Sequence, residues 1–194
     1  MNYQIFPFIF TRTATLFLFV FAVVLTFFDL SALLTYLILV GLFFPIGISM
    51  RLHQLNETGV ALTLTEKTHN ITYIHGLPAH EQRVVIKNPC FWSKKRIQQF
   101  YIFSFLGKLI LQGFCIAILA REYLLTGANA ATDIVALLIL VYMLSMSGRS
   151  AYMLYRIATH RWRCEPLTTS SGSVWYQGFL FEGNNRVTLF ERLL

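Results

Sequence analysis

Three histidines fall close together, His69, His75 and His80, with Glu81 beside the last. Imidazole and carboxylate groups build zinc sites and do general acid–base work. Intervals of six and five residues follow no compact zinc motif, and Cys90 as a fourth ligand adds no diagnostic spacing. The chain carries no HExxH, GxSxG or Walker loop. The histidines therefore read as turn and strand residues, and neither a metal nor another cofactor is expected. His53 and His160 read as residues just inside two helix ends. Cys90, Cys115 and Cys164 are far apart, form no CxxC pair and read as free thiols.

The second chemical oddity is Lys108, with Gln112 one helical turn on and Cys115 three further, inside the apolar run Phe100–Arg121. A charge at membrane depth is expensive, so this face is expected to point into the bundle or toward headgroups. Lys108 lies roughly 12 Å of helix rise from the near end of that run, a distance its methylene stem shortens by snorkelling. By depth, Ser145, Ser147 and Arg149 on the returning helix are its expected neighbours, with Tyr142 and Met146 close by. One lysine without a membrane carboxylate is a weak transport signal.

The elements that must position these residues are apolar runs. Of the 194 residues, 56% are hydrophobic and 13% charged, and 18 are Phe. Soluble domains carry about 25% charged residues. Met1–Thr11 reads as an aromatic interfacial segment interrupted by Pro7. Spans are expected at about Thr13–Phe28, at Ser31–Met50, across Phe100–Arg121, and from Thr132 to Ser147 or as far as Tyr155. Arg12 before the first run resembles a signal peptide, but the run leads straight into a second one, so it reads as a retained span. Asp29 and Ser31 read as a tight hairpin and a helix cap. Gly41 and Pro45 predict a kink in the second span. Gly113 with Ala117, and Ser147 with Ala151, are small-residue pairs of the kind that seat neighbouring helices.

Between the second and third spans, 51–99 reads as two or three antiparallel strands, with turns at Lys67–Asn70, Gly76–Pro78 and Asn88–Pro89. The tail reads as a hairpin of Val174–Phe181 and Asn185–Phe190. A hairpin alone buries too little, so the two β-rich segments are expected to share one sheet. The expected fold is thus an all-α transmembrane bundle of four spans with a small cytoplasmic antiparallel β module. Its parts are 1–50 (interfacial segment and first helical pair), 51–99 (β-rich loop), 100–155 (second helical pair) and 156–194 (tail with β-hairpin).

Charge sets the orientation. The net charge is +7. The 51–99 loop holds seven Lys or Arg against three acids, and the tail from Arg149 onward six against three. The turn at Asp29 and the Tyr123–Asp133 connection hold no basic residue. The positive-inside rule then places both termini and the central loop in the cytoplasm, with the inner membrane as the location in a bacterium. Lys94, Lys95 and Arg96 beside Trp92, and Arg156, Arg161 and Arg163 beside Trp162, are juxtamembrane cations suited to anionic headgroups. No exposed basic recognition helix is visible, and nucleic acid is not an expected partner.

The function that fits is an inner-membrane accessory protein for secretion, conjugation, assembly, immunity or exclusion. It works through contacts with a membrane-protein partner or a second copy, with Lys108, Gln112, Ser145, Arg149 and Pro45 as the interaction or packing residues. One alternative is an enzyme acting on lipid-linked substrates, which needs His69, His75, His80, Glu81 and the cations in one cleft. Another is a small channel or transporter subunit, which needs a polar path joining Lys108, Gln112 and the Pro45 region.

Overall fold

The computed structural model describes residues 13–63, 65–74, 77–86, 88–126, 130–168, 172–182 and 185–194. The expected interfacial segment Met1–Thr11, His75 and parts of the expected turns lie outside the described residues.

Among the described residues three helical stretches are long and apolar enough to cross a membrane: Ala32–Glu57, Lys94–Leu125 and Thr132–Ala158, of 26, 32 and 27 residues. At about 1.5 Å per residue each exceeds the roughly 30 Å hydrocarbon core. The first comprises α2 (Ala32–Ile38), a π-helical turn (Leu39–Phe43) and α3 (Phe44–Glu57). The others are α4 (Lys94–Thr126) and α5 (Ala130–Ala158). Ahead of them, α1 (Thr13–Thr26) is apolar but shorter, with 14 residues. It lays Ala22 and Leu25 against α2 and exposes Phe17, Val20, Phe21 and Val24.

The Pro45 position does not end the helix. Proline has no N–H and crowds the carbonyl four residues back, here that of Gly41. The chain widens to a π turn just before it, and the Phe44 N–H donates to the Leu39 carbonyl, five residues back. One added residue in the turn accommodates the ring while the helix continues to Glu57.

Three helices end alike. Asp29, Gly59 and His160 all take positive φ, at 60°, 68° and 57°. In each case the next N–H donates five residues back: Leu30 to Leu25, Val60 to Leu55, Arg161 to Arg156. This left-handed C-terminal closure satisfies carbonyls the helix leaves open. Asp29 thus closes α1 instead of capping α2, and His160 is a helix-stop residue.

The five-stranded sheet draws on both β-rich segments. Its strands are β1 (Ala61–Leu62), β4 (Cys90–Phe91), β5 (Arg163–Thr168), β6 (Val174–Glu182) and β7 (Asn185–Thr188). Their order is β1-β4-β6-β5, with β7 also on β6. Phe91 pairs with Tyr176, joining the central segment to the tail. The long strands β2 (Thr65–Ile74) and β3 (Leu77–Ile86) do not join this sheet; they form a separate ribbon, in register from Thr65–Ile86 to Ile74–Leu77. Lys67–Asn70, expected as a turn, lies in the middle of β2, where ladder pairing outweighs its polar composition.

The tail strand also stops early. Asn185–Phe190 was expected to be extended throughout, but β7 ends at Thr188 and α6 (Leu189–Leu193) follows. Thr188 caps α6 by accepting from the Glu191 N–H at 3.1 Å, the Thr-x-x-Glu start of a capping box. Leu189, Phe190 and Leu193 of this short helix are buried with Ile97, Tyr101 and Phe105 of α4, Leu52 of α3, Ile157 of α5 and Leu180 of β6. One core therefore joins sheet, α6 and helix ends, while a second holds α1, α2, α4 and α5 together further along.

Candidate functional site

Lys108 is held by the tail, not by the polar residues of α5. Its Nζ donates to the Leu193 carbonyl at 2.6 Å and sits 5.6 Å from the centre of the Phe44 ring. The capping of α6 by Thr188 and the burial of its three apolar side chains deliver that carbonyl to α4. A C-terminal helical carbonyl is a favourable acceptor for a cation. Ser145 and Arg149, expected at its side, are exposed on α5, and Ser147 is half-buried.

Gln112 turns to a different partner. It is 1% exposed and donates to the Tyr36 hydroxyl at 3.2 Å. Tyr36 stands edge-on to Tyr142 with 6.0 Å between ring centres. Gln112 Oε1 has no hydrogen-bond partner. Lys108 and Gln112 share a side of α4, yet one binds the tail and the other locks α4 to α2. Pro45 is half-buried beside Phe44, whose ring faces the lysine.

At the end of the bundle away from the sheet, Glu122 of α4 caps α2 from outside. Ser31 Oγ donates to Glu122 Oε1, and the Ala32 N–H donates to Oε2 at 2.9 Å. Ser31 occupies the N-cap position but makes no side-chain cap to its own helix. A carboxylate suits a helix N-terminus, where unpaired N–H groups and the dipole favour negative charge.

At the sheet end, the two basic clusters meet. Gln98 Nε2 donates to the Ile157 carbonyl at 3.4 Å, setting the start of α4 against the end of α5. Lys94 lies 5.7 Å from the Tyr176 ring centre, Arg163 4.9 Å from Phe181, and Arg161 5.7 Å from Tyr155. Arg156 donates to the Phe181 carbonyl at 3.1 Å and covers Tyr152 at 5.8 Å. Lys95 and Arg96 are exposed, as is Trp92 at 70%, while Trp162 packs against the core. Arg186 pairs with Glu165 and lies 3.7 Å from the Phe179 ring centre. Cations over aromatic faces form a rim here, a composition that suits the membrane–water interface.

Beneath the rim, Asn88 ties strand to helix. Its Nδ2 donates to the Gly178 carbonyl at 3.0 Å, and its Oδ1 accepts from the Tyr101 hydroxyl at 3.4 Å. Gln177 Nε2 reaches the Asn88 carbonyl at 3.3 Å and Cys90 Sγ at 3.0 Å. Burial pushes the Cys90 thiol pKa up, against the opposing bond from Gln177. Burial also raises that of Cys164, with Lys94 opposing and Glu165 adding to it.

In the ribbon His69 pairs with Gln82, His80 with Ile71 and Glu81 with Asn70, and His75 lies outside the described residues. Among the described residues no group of three His, Cys, Asp or Glu is placed to hold a metal. No known family, curated protein or solved structure matches the chain.

Proposed function

We propose that the protein is an integral inner-membrane accessory protein that presents a rigid helix–sheet platform to a membrane-protein partner or a second copy. The observation that carries this reading is the use of its charged side chains as structural clamps. Lys108 holds the tail, Glu122 caps α2, Arg156 holds β6, and Arg186 joins β7 to β5. Groups committed in this way fix a shape, as a docking scaffold requires.

In this reading all the apolar helices, α1 included, sit in the bilayer. The sheet, both termini and the basic rim lie on the cytoplasmic side, where anionic headgroups attract each juxtamembrane cation by about 1 kcal/mol. The charge distribution supports this orientation: Lys94, Lys95, Arg96, Arg161 and Arg163 stand at the sheet end, whereas the opposite end carries Asp29, Glu122 and Asp133 against Arg121. The partner-facing surface includes Gly113 and Ala117, both exposed on α4, where a β-carbon on Gly113 would meet nothing within 4 Å. Small residues of this kind let another helix approach closely in lipid.

A photocrosslinking residue at Ala117, used in native membranes, tests this. The expected result is a discrete protein adduct, lost when Gly113 is replaced by Leu. Lipid adducts alone would overturn the reading.

A further inference from the structure

A cleft of about 410 Å³ opens between α4 and α5 near the end away from the sheet. Ile116, Leu119 and Tyr123 line it from α4, and Asp133, Leu137 and Leu140 from α5. Its volume falls in the roughly 300–1,000 Å³ range of small-molecule pockets. The surface is aliphatic except for the Tyr123 hydroxyl and the Asp133 carboxylate. Leu137 belongs to the exposed apolar face formed with Ile134, Leu138 and Val141, so the mouth of the cleft is on the lipid side of α5.

Asp133 Oδ1 is buried and has no hydrogen-bond partner. A buried acceptor of this kind carries an uncompensated desolvation penalty. The nearby carboxylate of Glu122 is already engaged by Ser31 and Ala32. An unpaired carboxylate oxygen in an aliphatic, lipid-facing cleft is complementary to an amphiphile that bears a donor ammonium and an apolar tail.

We propose that this cleft binds a phospholipid with a primary-ammonium headgroup, phosphatidylethanolamine. The ammonium donates to Asp133 Oδ1, and an acyl chain lies along Ile116, Leu137 and Leu140. Phosphatidylcholine has the same charges but no N–H, so it cannot make the Asp133 bond. The site is independent of the partner-binding reading and survives the failure of that reading.

The test is native mass spectrometry of the full-length chain in detergent with equal amounts of the two lipids carrying identical acyl chains. Wild type is expected to retain phosphatidylethanolamine over phosphatidylcholine by about two- to tenfold, the range of one net hydrogen bond. In Asp133→Leu the preference falls to about one. Leu137→Trp, a change at an exposed position that fills the mouth, lowers retention of both lipids and decides the matter if Asp133→Leu fails to fold. Equal retention in wild type, a preference that survives Asp133→Leu, or unchanged binding in Leu137→Trp would each overturn the proposal.

Discussion

Replacing Lys108 by methionine is expected to cost less stability than trimming Leu193 to alanine, although Lys108 is the charged member of the pair. The bond from Lys108 Nζ to the Leu193 carbonyl is short, 2.6 Å. A hydrogen bond from a charged donor is worth about 1.5–3 kcal/mol net, and the Phe44 ring adds about 0.5–1 kcal/mol. Against this stands the desolvation of the ammonium, several kcal/mol for a buried ion. Methionine keeps the stem and removes both the bond and the desolvation cost, so the net change is expected to stay within about 1 kcal/mol. Leu193 is different. It is fully buried in the core that joins α6 to α3, α4 and the sheet, and a Leu→Ala change at such a site costs about 2–5 kcal/mol. Thermal unfolding of the detergent-solubilised chain reads the difference at about 2–4 °C per kcal/mol for a protein of this size. Lys108→Met as damaging as Leu193→Ala would refute the balance and make the charged bond the dominant clamp.

Further outcomes follow from the same geometry. Glu122→Ala strands the buried Ala32 N–H and is expected to destabilise by about 1–3 kcal/mol, with Glu122→Gln intermediate; unfolding midpoints check it, and an Ala variant as stable as wild type contradicts it. A β-carbon at Gly178 would overlap Leu189 Cδ1 and lie 3.4 Å from Ile97 Cγ2. Gly178→Ala is therefore expected to cost about 1–3 kcal/mol by overpacking, and Leu189→Ala should cost less in that background than in wild type. The thiol pKa values of Cys90 and Cys164 are raised by burial. The folded state thus holds these protons more tightly than the unfolded state does. Their contribution to stability is constant below the ordinary thiol pKa of about 8.5 and declines as pH rises past it. Alkylation followed by mass spectrometry should label half-exposed Cys164 before buried Cys90 at every pH, and equal rates would contradict this ordering.

Much of the architecture is legible in composition, because a membrane span is written in one long apolar run. The three long helices and the joining of central and tail strands follow from that pattern and from the need of short hairpins for a surface to cover. The Gly41–Pro45 signal marks the place where the helix departs from regular geometry: the backbone answers the missing N–H with a π turn and the helix runs on to Glu57. The partner of Lys108 is not legible by depth matching, which compares only spans, because its acceptor comes from a short helix 85 positions along the chain. The pattern Thr188-x-x-Glu191 is a local cue to that helix, masked by the β-branched run before it. Glu122 is harder to find. A charged residue at a span end normally reads as solvated, and only the return of α2 to the same level shows that the carboxylate has a helix to cap. The role of Asn88 depends on β6 passing beside it from 90 residues away.

The orientation of the sheet relative to the bilayer is the claim on which the partner reading rests, and reporter insertions measure it most directly. Alkaline phosphatase placed after Asp29 and after Gly127 in separate chains should be active, because only the noncytoplasmic side lets it fold with its disulfides. The same reporter after Pro78 should be inactive, and a fluorescent protein there should glow. Active phosphatase after Pro78 would place the β-rich segment outside the cytoplasm and contradict the arrangement of spans, sheet and basic rim together.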